Sequence, residues 1–108
     1  MNNTVFYTPI SPENAKTMLE DLSTYTVLID VRTKEEYDAG HINNAVLMPL
    51  DSVNEMAHDI LPDLSQEIII YCRSGVRSKM AAEILHSLGY THIYDLGGIL
   101  EWPYEIVK

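Results

Sequence analysis

The sequence predicts an α/β protein, and three observations carry that prediction. Two near-continuous apolar runs, Val27 to Val31 and Ile68 to Tyr71, read as strands buried on both faces, the pattern of a parallel sheet. Between and after them, apolar residues recur at helical spacing. No repeat, low-complexity stretch or Pro/Gly/Ser-rich linker divides the chain, so residues 1–108 are expected to form one domain.

The elements follow in order. Val5 to Tyr7 reads as a short edge strand. Ser11 is placed to cap a helix with Pro12 at its first position, and Ala15, Met18, Leu19 and Leu22 form its apolar stripe. After the Val27 to Val31 strand, Thr33 and Glu36 make a Thr-x-x-Glu capping box for a short helix that Gly40 can end. Ala45 to Met48 is a further strand, closed by Pro49, and Ser52 to Ile60 a helix closed by Leu61-Pro62-Asp63. Glu67 leads into Ile68 to Tyr71, the strongest strand signal, with Cys72 at its carboxyl end. A loop from Arg73 to Arg77 precedes a helix from Ser78 to Leu88, with Gly89 as its C-cap. His92 to Tyr94 is the last strand, Gly97-Gly98 a turn, and Ile99 to Trp102 the start of a terminal helix that Pro103 would perturb.

Composition excludes several functions. Sixteen acidic against seven basic residues give a formal charge of −9, which disfavours general binding to nucleic acid or an anionic membrane. The N-terminus lacks the basic and apolar regions of a signal peptide, and no apolar run reaches membrane-spanning length, so the expected location is the cytoplasm. The single cysteine cannot form an intramolecular disulfide, and no metal, nucleotide or flavin motif is present, so no cofactor is expected.

Charge is distributed unevenly in one place. Arg73, Arg77 and Lys79 are three of the seven basic residues, and the eight positions from Cys72 to Lys79 contain no acid. A strand followed by a short glycine-containing loop and a helix start can curl backbone N–H groups toward one point, where the helix dipole adds positive potential. A thiolate or persulfide on Cys72 would be the anion held there, with its pKa lowered. Gly75 would permit positive φ and close backbone approach. Ser78 would cap the helix and could donate its hydroxyl to sulfur, while Arg73 and Arg77 would attract an anionic donor. The competing reading of Cys72 is an inert thiol filling space at a strand end, but core packing does not require a basic glycine loop directly after it.

Cys72-Arg73-Ser74-Gly75-Val76-Arg77-Ser78 resembles the active-site loop of the rhodanese family. Leu28 to Arg32, Glu36-Tyr37, Gly40-His41-Ile42, Ala45 and Pro49 resemble the family's amino-terminal signature, and Leu96 to Ile99 with Trp102 its carboxyl-terminal one. One departure is Asn43-Asn44, where Pro-Gly is common, although Asn also tolerates turn geometry. The resemblance implies a five-stranded, mainly parallel sheet with helices on both faces. It also implies sulfur transfer through a Cys72 persulfide, with residues 73–78 binding substrate. The expected partners are a small anionic donor such as thiosulfate and an acceptor that is cyanide, a thiol or a sulfur-accepting protein. Asp30 and Arg32 read as a structural ion pair or a strand-end hydrogen bond, and His41 as a loop-fixing residue, because a low-pKa thiol needs no dedicated base. Trp102, the tyrosines, Met48, Met56 and Met80 read as packing.

Two other functions fit the same fold. Phosphatase and arsenate-reductase relatives resemble Cys-x5-Arg, but the sixth position after Cys72 is Ser78 and the arginine stands one residue earlier. Non-catalytic rhodanese-like modules serve interaction or regulation, and such copies often lose the cysteine that this chain keeps.

Overall fold

The computed structural model describes residues 6–108. In chain order the strands are β1 (Thr8–Pro9), β2 (Thr26–Asp30), β3 (His41–Ile42), β4 (Val46–Leu47), β5 (Glu67–Cys72), β6 (Ile93–Gly98) and β7 (Ile106–Val107). The helices are α1 (Pro12–Glu20), α2 (Lys34–Ala39), α3 (Val53–Ile60) and α4 (Val76–Ser87), with single 3-10 turns at Leu50–Ser52 and Ile99–Glu101. Five strands form one sheet in the order β1-β6-β5-β2-β4, every pair parallel, while β3 and β7 make a separate antiparallel ribbon.

Strand alternation divides the core into two layers. Ile68, Ile70 and Cys72 of β5 face Val53 and Ala57 of α3 and Ala81, Ala82 and Leu85 of α4. Ile69 and Tyr71 face the other way, with Leu28, Ala15 of α1, Tyr37 of α2 and Trp102. Helices therefore cover both faces, and Cys72 lies in the α3/α4 layer at the carboxyl edge of a central strand.

Local chemistry explains the element ends. The Ser11 side chain accepts from the Asn14 N–H at 3.1 Å with Pro12 in the first turn, and Thr33 and Glu36 form the reciprocal capping box of α2. Asn44, the departure from Pro-Gly, takes a left-handed conformation at φ 69°.

Five sequence expectations change. Val5 lies outside the described residues, Phe6 and Tyr7 are not strand, and the edge pairing falls instead on Thr8 and Pro9 against Tyr94 and Asp95. Leu22 is 99% exposed because α1 ends at Glu20, before the stripe can place it inward. Helix α4 begins at Val76 with Gly75 in the N-cap position, so Ser78 is not the cap. Gly97 and Gly98 belong to β6, which is bulged where its register against β5 slips between Ile70 and Tyr71. The expected terminal helix is one 3-10 turn, because the residue before Pro103 is driven out of helical conformation and Trp102 is extended at ψ 112°. The chain then returns as β7 beside β3.

Among the described residues, no helix is long and apolar enough to cross a membrane.

Candidate active site

Three elements meet at Cys72. Its strand lies between β2 and β6, and the residue beside it on β6 is Gly98. The chain then makes a tight loop over Arg73, Ser74 and Gly75 before α4 begins. Gly75 sits at φ 108°, which a side chain would strain, and this conformation turns its N–H back to donate to Cys72 Sγ at 3.0 Å. The neighbouring strand fits the loop as closely. A Cβ on Gly98 would lie 2.3 Å from the Arg73 carbonyl oxygen and 2.7 Å from Ser74 Cα, so only glycine lets the loop settle there. Leu100 secures the outer side, donating its N–H to the Arg73 carbonyl at 3.3 Å.

Two opposing effects act on the thiol. Burial pushes its pKa up, while the backbone N–H of Ser78, that of Gly75, the Ser78 hydroxyl and the Ser74 N–H favour the thiolate; together they outweigh burial, and the pKa falls below the ordinary value of 9.0. The Ser78 side chain is fully buried, and its hydroxyl lies 3.0 Å from the Gly75 carbonyl oxygen. Ser78 thus acts on the loop and on the Cys72 thiol from the first turn of α4.

The basic island is largely neutralised. Arg77, expected as a second cation for the donor, instead places its two terminal nitrogens on the two carboxylate oxygens of Glu36, at 2.7 and 2.9 Å. A cation in the first turn of a helix faces the positive end of its dipole, and the Glu36 carboxylate offsets that repulsion. The fork holds the Glu36 carboxyl at about 2, down from 4.5, against the opposing effect of its burial. Lys79 lies 3.3 Å from a carboxylate oxygen of the buried Asp95. Arg73 is exposed and pairs with no carboxylate among the described residues. Val76 is exposed at the start of α4, and Ser74 is exposed on the loop.

Beneath the site lies a buried polar network. Asp30 accepts from Arg32 Nη2 at 2.7 Å, from the Arg32 backbone N–H at 2.9 Å and from the Tyr71 hydroxyl at 2.8 Å. Arg32 Nη2 also donates to the Gly40 carbonyl at 2.7 Å, and the Tyr71 oxygen accepts from the Ile42 N–H at 3.1 Å. Asp30 and Arg32 thus form an ion pair that ties β2, β5 and the end of α2 together. His41 stacks on Tyr37, with centroids 3.7 Å apart, and its Nδ1 lies 2.8 Å from the Tyr37 carbonyl oxygen, the contact of a loop-fixing residue.

A groove of ≈ 420 Å³ opens beside the thiol loop, and Arg73, Glu36, Leu100, Trp102 and Tyr104 are among the residues that line it. Grooves of ≈ 490 and ≈ 570 Å³ reach the starts of β6 and β2, the amino edge of the sheet. Open parallel sheets place ligands at the carboxyl edge, where Cys72 is.

The sequence singled out the loop but not what holds it. The fork between Arg77 and Glu36 spans 41 positions, and the capping box already gave Glu36 a local role that hid its distant partner. Gly98 was read as a turn, although a Gly-Gly pair after a strand also signals close backbone approach. The role of Tyr71 in the buried network had no signal beyond a hydroxyl inside an apolar run.

Fold and site together define a parallel α/β protein with a buried free cysteine whose sulfur sits in a cradle of backbone N–H groups. The chain belongs to the rhodanese-like domain family, whose model matches residues 11–104. It is 39% identical over 80 residues to the thiosulfate sulfurtransferase PspE of Escherichia coli K12, covering 74% of this chain and 77% of that protein. It is 37% identical over 82 residues to a tRNA uridine(34) hydroxylase of Pectobacterium atrosepticum, covering 71% of this chain but only 23% of the hydroxylase. Among solved structures it resembles an Escherichia coli rhodanese with anions, at TM-score 0.74 and 36% identity over 78% of this chain and 99% of that one. The human single-domain sulfurtransferase TSTD1 matches at TM-score 0.74 and 29% identity, over 87% and 93% of the two chains.

Proposed function

We propose that this protein is a sulfurtransferase that carries sulfane sulfur as a persulfide on Cys72, with thiosulfate or a related compound as donor. The observation that carries the reading is the Cys72 sulfur at the floor of the loop, 3.0 Å from the Gly75 nitrogen. In the first half-reaction the Cys72 thiolate attacks the outer sulfur of the donor. A new S–S bond forms, the donor's own S–S bond breaks, and its electron pair leaves with sulfite. In the second, cyanide or a thiolate attacks the outer persulfide sulfur and returns Cys72 as a thiolate. No proton need move in the first step, so no general base is required. The N–H groups of residues 74, 75 and 78 suit a charge spread over two sulfurs, and Arg73 is the cation free to guide the donor.

Arg77 acts here through Glu36, holding α2 against the loop, while Arg73, Ser74, Gly75, Val76 and Ser78 frame the sulfur. A reducing compartment such as the cytoplasm would keep Cys72 available between turnovers. The short loop from Cys72 to Val76 favours sulfur over a tetrahedral oxyanion, which needs room for several oxygens. The hydroxylase relatives carry a similar domain as a fraction of a longer protein, so a larger setting could direct the same chemistry to a protein acceptor.

Steady-state kinetics with thiosulfate and cyanide test the proposal. Thiocyanate should form with the parallel-line pattern of a ping-pong mechanism and vanish in Cys72→Ser. Thiocyanate formation that survives Cys72→Ser would refute it.

A further inference from the structure

Asp95 is a buried carboxylate on the α4 side of β6, where strand alternation places it two positions after the apolar Ile93. Packing alone would favour another apolar side chain there, because a buried charge costs stability unless it is paired. Its two oxygens are engaged separately. Oδ1 accepts from the Gly97 N–H at 2.8 Å, and Oδ2 lies 3.3 Å from Lys79 Nζ. The first contact turns the chain two residues on, with Gly97 at φ 87°, where β6 bulges against β5. The second draws an ammonium inward from the first turn of α4, although the Lys79 side chain is 56% exposed.

Both partners of this carboxylate touch Gly75. A Cβ on Gly75 would lie 3.6 Å from Gly97 Cα and 3.5 Å from Lys79 Nζ. Lys79 also donates to the Gly75 carbonyl at 3.4 Å, beside the Ser78 hydroxyl at 3.0 Å. Gly75 is therefore packed between a backbone segment and an ammonium that one carboxylate holds. It is the residue whose N–H reaches Cys72 Sγ at 3.0 Å, from a φ of 108° that a glycine left unconfined need not keep.

We propose that Asp95 is a positioning residue for the thiol: through Gly97 and Lys79 it fixes Gly75 so that the Gly75 N–H stays aimed at the Cys72 sulfur. The inference deepens the sulfurtransferase reading, on which its catalytic meaning rests, but it concerns the free thiol and is tested there. Positioning and simple charge predict different signs. Removing the Asp95 charge, taken by itself, relieves repulsion of the thiolate and lowers the thiol's midpoint, whereas removing the Lys79 charge raises it. Loss of the N–H aim weakens the bond to the thiolate and raises the midpoint in both cases.

The test is the pH dependence of Cys72 alkylation by iodoacetamide in the wild-type chain, Asp95→Asn, Lys79→Met and the double variant, with thermal melting to confirm the fold. Asp95→Asn keeps the side-chain shape and an acceptor for the Gly97 N–H but releases Lys79. The other charged groups around the sulfur, Arg73, Arg77, Glu36, Asp30 and Arg32, stay in place throughout. The midpoint should rise by about one pH unit in each single variant, and no further in the double variant, because both substitutions act through one contact. A midpoint unchanged or lowered in Asp95→Asn, unchanged in Lys79→Met, or additive in the double variant overturns the proposal. Should Asp95→Asn not fold, Lys79→Met decides through the Gly75 amide proton, which must shift upfield as its bond to sulfur weakens; an unmoved resonance overturns the proposal. Thiocyanate formation from thiosulfate and cyanide by the wild type separates the two readings. Its absence refutes the sulfurtransferase reading and leaves the alkylation result standing, whereas its presence with unmoved midpoints refutes the role of Asp95 alone.

Discussion

At the scale of single residues, the reactivity of Cys72 is set by a contest between burial and donated hydrogen bonds, which the donors win. Because the thiolate is the nucleophile, alkylation should rise with pH and reach its midpoint below 9.0, the ordinary value for this thiol. Ser78→Ala removes one of the groups favouring the thiolate, so its midpoint should move upward; iodoacetamide kinetics followed by mass spectrometry check both. Gly98 makes a separate contribution through space alone. Gly98→Ala puts a methyl 2.3 Å from the Arg73 carbonyl oxygen, and the backbone must give way. The expected cost is about 1–3 kcal/mol of stability, read from urea unfolding. A raised alkylation midpoint should accompany it, because the displaced loop no longer aims its N–H groups at sulfur. An unchanged midpoint in Gly98→Ala would mean that the loop does not depend on this contact.

Among the elements, α2 does more than its six residues suggest. Its capping box was legible in the sequence because both partners lie within one turn; its grip on α4 was not, because the fork from Arg77 to Glu36 joins positions that only the fold brings together. The fork also predicts a pH dependence. The Glu36 carboxyl is held at about 2 in the folded protein against 4.5 ordinarily, so the unfolded chain takes up its proton first as pH falls. The stabilisation is complete above about pH 4.5 and is lost progressively toward pH 2. Glu36→Gln should therefore lower stability at neutral pH and flatten this part of the profile, measured by urea unfolding from pH 7 to 2; a profile matching wild type would contradict the fork. Deeper in the protein, Arg32→Ala strands the Asp30 carboxylate in the core and should cost about 3–5 kcal/mol in the same assay at pH 7. The same contrast between local and distant signals explains the carboxyl-terminal segment. Pro103 announced that a helix would be broken, but the pairing of β7 with β3 depends on a partner more than sixty positions away.

For the whole molecule, the parallel sheet was legible because strands buried on both faces leave continuous apolar runs, and those runs fixed β2 and β5 to within a residue. The position of Cys72 followed from the second run. The short strands were harder to read, since β1, β3, β4 and β7 have two residues each; of these only β4, set off by Pro49, was placed from the sequence, while β1 fell on later residues than expected and β3 and β7 carry too little pattern to distinguish strand from loop. The charge balance of the site was also hidden: three basic residues within eight positions suggested a positive island, whereas the fold brings Glu36 and Asp95 to two of them. What remains is a single sulfur held by backbone N–H groups at the carboxyl edge of a sheet, with Arg73 exposed and unpaired among the described residues beside it. Such a site should not turn over an aryl phosphate faster than its Cys72→Ser variant does. The measurement that bears most directly on this account is the intact mass of the reduced protein after incubation with thiosulfate and removal of excess donor. The account predicts a gain of one sulfur atom, mapped to Cys72, absent in Cys72→Ser and removed by cyanide; an unchanged mass would contradict it.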